Sequence, residues 1–387
     1  MPEAILPSLL GKPRLDKPLD TEQIKELCAV AGPCFTILVP SYRPAAQSAP
    51  ESVSLKHLLR VAVELPAARK HGQEAGILLE PLRELAEDEE LEAGGKALAL
   101  FSAPGFAAGY RVAAELGQKS IFARHPLIRP LLAEAFAPRE LFALGLSRKH
   151  IRLFRCVDHK AEELDLPPGI PKSFAEASNF DQPDHDLQNR SSSGASSGSG
   201  FAVTFGTLSD RESAPEYLHN YFALMDRSLA PLLKNTPVFL RGVAEDLAAF
   251  RKAARHLNIL EAGSEGGSDF RGADDIGALA RSAALVSYRR KAESAFQDFR
   301  EMPNRNRTLT GPTQILTAAE KGRVHRVVIA DEDDAAAKQA SHRQDLLQGE
   351  DALNAIAVET IRRGGEVFTL PHEKMGDAAP VAAILRY

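Results

Sequence analysis

The pattern of apolar and polar positions in the first 136 residues predicts a mixed unit of helices and strands. Asp20 and Gln23 form a capping pattern ahead of a helical stretch that ends at Gly32. The compact apolar run Cys34–Val39 is typical of a buried strand. The predicted elements are helices over 21–31, 55–65 and 75–87, and strands over 34–39, 97–101 and 110–114. We interpret this unit as scaffold, because no cluster of catalytic residue types falls within it.

The pattern from residue 137 to residue 270 predicts a second α/β unit. Two strand-like runs, 141–146 and 150–156, flank a short basic turn and predict a hairpin. An amphipathic helix is predicted over 216–233, and its apolar stripe has the spacing of a core face, not of a cofactor site. The stripe consists of Leu218, Tyr221, Phe222, Met225 and Leu229. The further predicted elements are strands over 201–205 and 237–240 and a helix over 245–256.

A third unit begins with a long predicted helix over 273–299. Its expected buried side consists of Ile276, Leu279, Ala283, Val286, Phe296 and Phe299. Helices and strands then alternate, which predicts an α/β layer fold. The predicted elements are helices over 313–321 and 351–363, and strands over 324–330, 366–370 and 381–385. We therefore expect an α/β protein with three domains over 1–136, 137–270 and 271–387.

Composition narrows the class of protein. A length of 387 residues favours two or three domains, and no segment approaches the roughly 20 apolar residues of a membrane span. The first residues lack the basic start and apolar run of a signal peptide. Three scattered cysteines, Cys28, Cys34 and Cys156, are too few for a disulfide framework or a zinc site. We therefore expect a cytoplasmic protein. Its net charge of -5 argues against general nucleic-acid coating but leaves room for a local basic face.

One stretch stands apart in composition. Residues 189–200 are mainly serine and glycine and contain no apolar residue larger than alanine. A flexible coil of this length spans on the order of 20 Å. Because it interrupts the second unit between Leu166 and Phe201, it is either a functional probe or a disordered surface loop.

Charge is concentrated in the predicted hairpin. Between residues 139 and 160 there are six Lys or Arg against two acids, Glu140 and Asp158, which is an excess of +4. This excess predicts either an edge that faces RNA or an ordinary solvated face, and the sequence leaves both open.

Catalytic and metal motifs are weak. The segment 194–198 matches the nucleophile elbow of hydrolases, but no helix is predicted directly behind it, so we interpret the match as chance. The segment 263–266 resembles a GxxG clamp for RNA, but Glu265 would repel phosphate, so we expect a turn. The histidines show no HExxH spacing, and the acids at 331–334 are interpreted as a solvated loop. We expect no cofactor and no metal.

The C-terminal part carries a family resemblance. The segments are GPTQILTAAEKGRVHRVVIA at 311–330, GGEVFTL at 364–370 and VAAILRY at 381–387. They resemble the C-terminal domain of the archaeo-eukaryotic release factor and Pelota superfamily, in particular its bacterial branch, which includes the ribosome hibernation factor Balon. The resemblance covers about residues 139–387. It implies a ribonuclease-H-like middle domain and a C-terminal α/β/α domain like kink-turn-binding ribosomal proteins.

The resemblance also implies a function. Release factors of this superfamily carry Gly-Gly-Gln at the tip of a middle-domain loop, and residues 181–200 occupy that position without the motif. The favoured hypothesis is therefore a stress-response factor that occupies the ribosomal A site without peptide release, in hibernation or rescue. A hydrolase of peptidyl-tRNA or RNA with a nonstandard loop is the alternative. A stress-associated protein with a borrowed fold is the third possibility, since a fold alone does not fix a function.

The expected partner surfaces follow from this hypothesis. The expected rRNA contacts are Arg148, Lys149 and Arg152 in the hairpin and His185, Gln188, Asn189 and Arg190 in the loop. A translational GTPase such as elongation factor Tu, or the GTPase-associated region, is a further expected partner. We expect a monomer without a membrane partner. The sequence leaves open whether the ribosome is idle or stalled.

Overall fold

The computed structural model describes most of the chain. The described residues are 13, 15, 17–40, 55–87, 97–113, 116–147, 149–167, 170–173, 176, 209–266, 272–302, 305–331, 351–376 and 380–387, with the backbone alone at 209–215, 274 and 305. The chain divides into two compact units, one of residues 1–137 and 288–387 and the other of residues 138–287. The division into three domains stays a prediction.

The N-terminal segment of the first unit is a four-stranded antiparallel sheet with helices. Its helices are α1 (Thr21–Ala29), α2 (Leu55–Glu64), α3 (Pro66–His71), α4 (Gln73–Leu78), α5 (Glu80–Ala86) and α6 (Leu132–Phe136). Its strands are β1 (Cys34–Val39), β2 (Ala97–Ala103), β3 (Phe106–Val112) and β4 (Lys119–Ala123), in the order β3-β2-β1-β4. The Asp20 carboxylate caps α1 by accepting hydrogen bonds from the amides of Glu22 and Gln23, as the capping pattern predicts.

Two features of this segment differ from the sequence prediction. The helix predicted over 75–87 is divided into α4 and α5 near Leu79, because Pro81 lacks the amide hydrogen that a continuous helix needs. Strand β4 was not predicted, because only its last two residues, Phe122 and Ala123, are buried. The strand Cys34–Val39 is confirmed, and a turn at Gly105, where φ is +72°, joins β2 to β3.

The second unit contains one five-stranded mixed sheet. Its strands are β5 (Glu140–Gly145), β6 (Arg152–Val157), β7 (Lys160–Leu164), β8 (Val238–Gly242) and β9 (Ser264–Glu265), and its helices are α7 (Ser209–Leu233) and α8 (Ala244–Ala253). The strand order is β7-β6-β5-β8-β9. Strands β5, β6 and β7 are antiparallel neighbours, whereas β5, β8 and β9 run parallel. A 3-2-1-4-5 order with an antiparallel second strand is the ribonuclease-H-like arrangement that the resemblance implies.

The helical stripe predicted for the second unit is its core. Tyr221, Phe222, Met225 and Leu229 are buried, and they pack with the apolar residues of β5, β6 and β8. Phe222 meets Phe250 of α8 edge to face with ring centroids 5.3 Å apart. The strand predicted over 201–205 lies outside the described residues.

The C-terminal segment of the first unit has helices on a four-stranded sheet. Its elements are the helices α9 (Ala273–Glu301, which starts in the second unit), α10 (Pro312–Glu320), α11 (Ala352–Arg362) and α12 (His372–Met375), and the strands β10 (Thr308–Leu309), β11 (Val324–Ala330), β12 (Glu366–Leu370) and β13 (Val381–Leu385). The strand order is β10-β13-β11-β12, with β11 and β12 parallel. The predicted strands over 324–330, 366–370 and 381–385 are confirmed, and so is the mixed α/β class.

Helix α9 departs from its predicted stripe. Val286 was expected on the buried side, but it is 37% exposed. The boundary between the two units falls between residues 287 and 288, so Val286 lies close to the point where the helix passes from one unit to the other. Ala284 and Tyr288 take the buried positions around Val286, and Phe296 and Phe299 pack in the C-terminal core as predicted.

The N-terminal and C-terminal segments of the first unit share one core. Leu27 of α1, Ile128 and Leu131 are buried in the same apolar cluster as Ile356 of α11 and Val327 of β11. Buried polar groups join the segments as well, and we call the residues 125–129, Asp351, Asn354, Glu359 and Arg362 the seam. The two ends of the chain thus form one compact body.

The Asn354 side chain is at the centre of the seam. Its Oδ1 accepts hydrogen bonds from the amides of Ile128 and Arg129 at 2.9 and 3.1 Å, and its Nδ2 donates to the Pro126 carbonyl at 2.9 Å. Nearby, Glu359 lies 3.2 Å from His125 and 2.7 Å from Arg362. The sequence analysis assigned no role to any of these residues.

Candidate functional site

The hairpin of β5 and β6 carries the predicted basic residues that can be placed. Arg148 lies outside the described residues. Lys149 is exposed in the turn, and its backbone amide donates a hydrogen bond to the Ser147 hydroxyl at 3.2 Å. The buried Ser147 therefore fixes the turn while the lysine side chain extends into solvent. Lys149 has no ion pair with any described residue, so its charge is available to a partner.

Arg152 is engaged within the sheet. Its guanidinium forms a two-pronged ion pair with the carboxylate of Glu163 on β7, with Nε 2.6 Å from Oε1. The same guanidinium lies 4.8 Å from the ring centroid of Phe154. The hydrogen bond between the two side chains raises the pKa of Arg152 and lowers that of Glu163. A phosphate that binds Arg152 must therefore compete with a carboxylate that is already in place.

The other arginines of the hairpin are paired too. Arg139 binds both carboxylate oxygens of Asp158 at 2.8 and 2.6 Å, and Arg155 lies 2.7 Å from Glu140. The third strand of this sheet, β7, was not predicted, and it adds Glu162 and Glu163. Over residues 139–164 six basic residues face four acids, so the local excess falls to +2. Of the predicted hairpin contacts that the structure describes, Lys149 is the one that faces solvent unpaired.

The loop contacts cannot be placed. His185, Gln188, Asn189 and Arg190 all lie outside the described residues, and so does the elbow-like segment 194–198. The described chain resumes at Ser209 with the backbone of α7. In the sequence the loop therefore precedes the long helix that packs in the core of the second unit, with residues 201–208 between them.

A buried carboxylate anchors that helix. Asp226 is 1% exposed, and it accepts hydrogen bonds from the backbone amides of Arg255, His256 and Leu257 and from the His256 ring at 2.7 Å. Burial opposes its ionisation, but these donors outweigh burial and hold the pKa of Asp226 below its usual range. The sequence analysis missed this residue. An acid next to Met225 within an apolar stripe was the available signal.

The GxxG segment is part of the sheet. The sequence predicted a turn at 263–266, but Ser264 and Glu265 form the edge strand β9, which pairs in parallel with β8. Arg241 donates a hydrogen bond to the Ser264 hydroxyl at 2.8 Å, and its guanidinium fills the space beside Gly266. The space that would hold a phosphate in an RNA clamp is therefore occupied by the chain's own arginine.

The cysteine thiols are shielded from solvent. Cys28 and Cys156 are buried, and burial raises the pKa of each thiol to about 12. Within the ranges that the structure describes, no group of His, Cys, Asp and Glu residues could hold a metal ion. No helix among those ranges is long and apolar enough to cross a membrane.

Comparison with known proteins gives a family match for the middle of the chain. Residues 141–323, slightly less than half of the chain, match bacterial archaeo-eukaryotic release factor family 3. The matched segment includes the five-stranded sheet, α7, α8 and α9. No curated protein matches the chain.

The solved structures that resemble this chain share little sequence identity with it. The archaeal translation termination factor aRF1 is 13% identical, with 95% of this chain and 96% of that chain covered and a TM-score of 0.24. Archaeoglobus fulgidus Pelota is 12% identical, with 76% and 80% covered and a TM-score of 0.37. A ribosome-bound archaeal Pelota, described together with ABCE1, is 10% identical, with 96% and 95% covered and a TM-score of 0.37. With TM-scores below 0.5, nothing about this chain's function follows from them.

The family match supports the resemblance for the middle of the chain. It covers the five-stranded sheet, whose strand order is the one that the resemblance implies. The specific similarity to Balon stays a prediction. Residues 141–323 are thus similar to bacterial release factors of the archaeo-eukaryotic type, and the assignment of the whole chain to that family stays a proposal.

Proposed function

We propose that this protein is a ribosome-binding translation factor that occupies the A site without releasing the nascent peptide, in ribosome hibernation or rescue. The observation that carries the proposal is the match of residues 141–323 to a release-factor family in a chain whose loop, 181–200, has no Gly-Gly-Gln. Glycines of that motif let the backbone approach the reaction centre and position the attacking water. A chain that lacks these glycines can still bind the ribosome, so we propose binding without peptide release.

The architecture supports a role in positioning. Helix α7 begins at Ser209, a few residues after the loop in the sequence, and is anchored in the core by Asp226 and by the apolar stripe. A rigid base of this kind delivers the loop to a fixed point on a partner. We propose that the loop points to the peptidyl-transferase region and that Lys149 contacts rRNA phosphate. A translational GTPase such as elongation factor Tu is proposed as the assisting factor.

Co-sedimentation with 70S ribosomes tests the binding. We expect the full chain to pellet with ribosomes at low salt and to be released as salt rises, because phosphate contacts exchange with counterions. Lys149→Glu should weaken pelleting, whereas Lys252→Glu, the same charge change on an exposed residue of α8, should not. Arg152→Glu is a poor probe, because it would place a second carboxylate against Glu163. A chain that never pellets with ribosomes refutes the proposed function.

Peptide release tests the chemistry. On programmed ribosomes that carry labelled peptidyl-tRNA, we expect no release above background at saturating protein. Release that Gln188→Ala abolishes would show that the loop is catalytic.

Ribosome affinity tests which part of the loop makes contacts. Arg190→Ala should reduce this affinity measurably. Deletion of residues 191–199 should change the affinity by less than about tenfold, because ordering serine and glycine residues costs roughly 1–2 kcal/mol each and we expect them to make no fixed contacts.

A further inference from the structure

One end of the C-terminal sheet gathers positive charge around an exposed aromatic ring. Its members come from the start of β10, from the turn between α10 and β11, from the turn between α11 and β12, and from the residues after β13. We call this surface the basic edge. It consists of Arg307, Lys321, Arg323, Arg363, Arg386 and Tyr387. All six residues lie outside the hairpin and loop that the sequence analysis assigned to rRNA.

Backbone contacts bring the members of the basic edge together. The Arg386 amide donates a hydrogen bond to the Arg323 carbonyl at 2.9 Å, and the Arg386 guanidinium donates to the Arg363 carbonyl at 2.9 Å. The Arg307 guanidinium donates from Nε and Nη2 to the Leu385 carbonyl at 3.1 and 2.9 Å. These arginines are therefore held by neutral carbonyl groups, which orient the guanidinium without cancelling its charge.

The charges of the basic edge are largely uncompensated. None of its five cationic side chains has an ion pair with a residue that the structure describes. Gly322, with φ of +69°, and Gly364, with φ of +72°, shape the two turns. The turns lie close together, because a Cβ atom placed on Gly322 would be 3.8 Å from the Cβ of Arg363. Glu320 is next to Lys321 in the sequence, and Glu366, at the start of β12, is already paired with Arg326. Five positive charges are thus gathered at this surface in a chain whose net charge is -5.

The aromatic ring gives the surface its chemical character. Tyr387 is 73% exposed, which is the largest exposed fraction among the large apolar side chains of the described residues. The Arg323 guanidinium carbon lies 5.8 Å from the ring centroid, so it supports the ring. A phenol ring that is supported by an arginine and otherwise open to solvent offers a face on which a base can stack.

We propose that the basic edge binds single-stranded RNA, with phosphates on the arginine and lysine side chains and an unpaired base on the Tyr387 ring. Guanidinium forks match phosphate oxygens in pairs, and base stacking on an aromatic ring tolerates any sequence. An acidic protein segment would use the charge but would leave the ring without a stacking partner. For its biological ligand, a segment of ribosomal RNA, the proposal rests on the proposed function.

The test measures fluorescence anisotropy of a 5′-labelled 12-nucleotide oligoadenylate against the full chain. Lys321→Glu with Arg363→Glu should weaken binding on the order of tenfold at 50 mM salt and should lower the salt slope by about 1.4, at roughly 0.7 per phosphate contact. These two side chains make no described hydrogen bond or ion pair, so the change leaves the fold intact. Tyr387→Ala should weaken binding by about fivefold or more, and Tyr387→Phe by less than about twofold.

A charge-matched control exists in the same unit. Arg289→Glu with Lys291→Glu reverses two exposed charges on α9. These residues lie near the opposite end of β12, because the neighbouring Tyr288 hydroxyl accepts a hydrogen bond from the Thr369 amide there. The control should leave RNA binding within about twofold. Equal weakening by the control and the edge variant would overturn the proposal, and so would a silent Tyr387→Ala.

Two further measurements separate the alternatives. Labelled poly-glutamate should bind weakly. If it binds as tightly as the RNA and with the same dependence on Lys321 and Arg363, the partner is acidic protein and the RNA assignment falls. Ribosome co-sedimentation separates this proposal from the proposed function. If the edge variants pellet with ribosomes as the wild type does and the chain does not bind the free RNA, the RNA-binding proposal for the basic edge is wrong and the proposed ribosomal function stands. RNA binding that depends on the edge in a chain that never pellets refutes the ribosomal function alone.

Discussion

Arg129 is the residue through which the unity of the first compact body can be tested. Its side chain is 2% exposed, and its Nη2 lies 2.6 Å from the Asp351 carboxylate at the start of α11. Its Nη1 donates a hydrogen bond to the Ala330 carbonyl at the end of β11, at 2.9 Å. One N-terminal side chain therefore binds two C-terminal elements. Arg129→Ala removes both contacts and leaves the Asp351 carboxylate, which also caps α11, without its cation.

The cost of this change can be derived from burial. Removal of one partner of a buried ion pair lowers the free energy of unfolding by roughly 3–5 kcal/mol, because the remaining charge is shielded from water and has no opposite charge beside it. Asp351 retains some solvent and the Leu353 amide, so we expect about 3 kcal/mol. For a domain whose stability is about 5–15 kcal/mol this loss is large. Arg124→Ala, in the same segment but exposed, should cost less than about 0.5 kcal/mol.

Hydrogen exchange read by mass spectrometry shows which segments respond. If the seam joins the two ends of the chain into one cooperative unit, Arg129→Ala lowers the protection of β1 and of β11 by the same free energy. Asp351→Asn keeps the cap of α11 and removes the charge, and its effect should not add to that of Arg129→Ala, with a coupling of about 0.5–3 kcal/mol. Loss of protection in β1 with β11 unchanged would refute the reasoning. It would show that residues 1–136 and 271–387 unfold as separate domains.

The remaining predictions concern the second unit and the thiols. Asp226→Ala should destabilise the second unit by about 3 kcal/mol in urea unfolding, because three backbone amides lose their acceptor. Because the folded pKa of Asp226 is depressed, its contribution is present above about pH 4 and is lost as pH falls below that value; equal pH slopes for the wild type and Asp226→Asn would contradict this. Cys28 and Cys156 should react with a disulfide reagent at pH 8 only after urea is added, since burial raises the pKa of both thiols to about 12; rapid reaction of the native chain would contradict this.

Buried strands could be predicted from the sequence, and the mostly exposed edge strand β7 could not. Cys34–Val39 and the last four residues of β11, 327–330, are compact apolar runs because neighbouring elements cover them, so their composition predicts buried strands. Strand β7 reads Lys-Ala-Glu-Glu-Leu and is mostly exposed, so it carries no apolar signal. Its position depends on pairing with β6, which is a long-range property of the sheet. The missed strand changed the interpretation of the site, because Glu163 on it neutralises Arg152.

Counting charges along the sequence did not locate the basic edge, whereas the positions of the charges in the fold do. The window 139–160 has the most obvious local excess of basic residues, but cross-strand pairs with Asp158, Glu140 and Glu163 neutralise three of its arginines. The basic edge has no comparable run, since its residues come from four places between 307 and 387 and Lys321 follows directly after an acid. Folding places these cations together because the two parallel strands β11 and β12 begin at the same edge, where antiparallel β13 ends. Turns that precede parallel strands meet in this way in any α/β sheet, so unpaired cations in such turns form a surface that only the topology reveals.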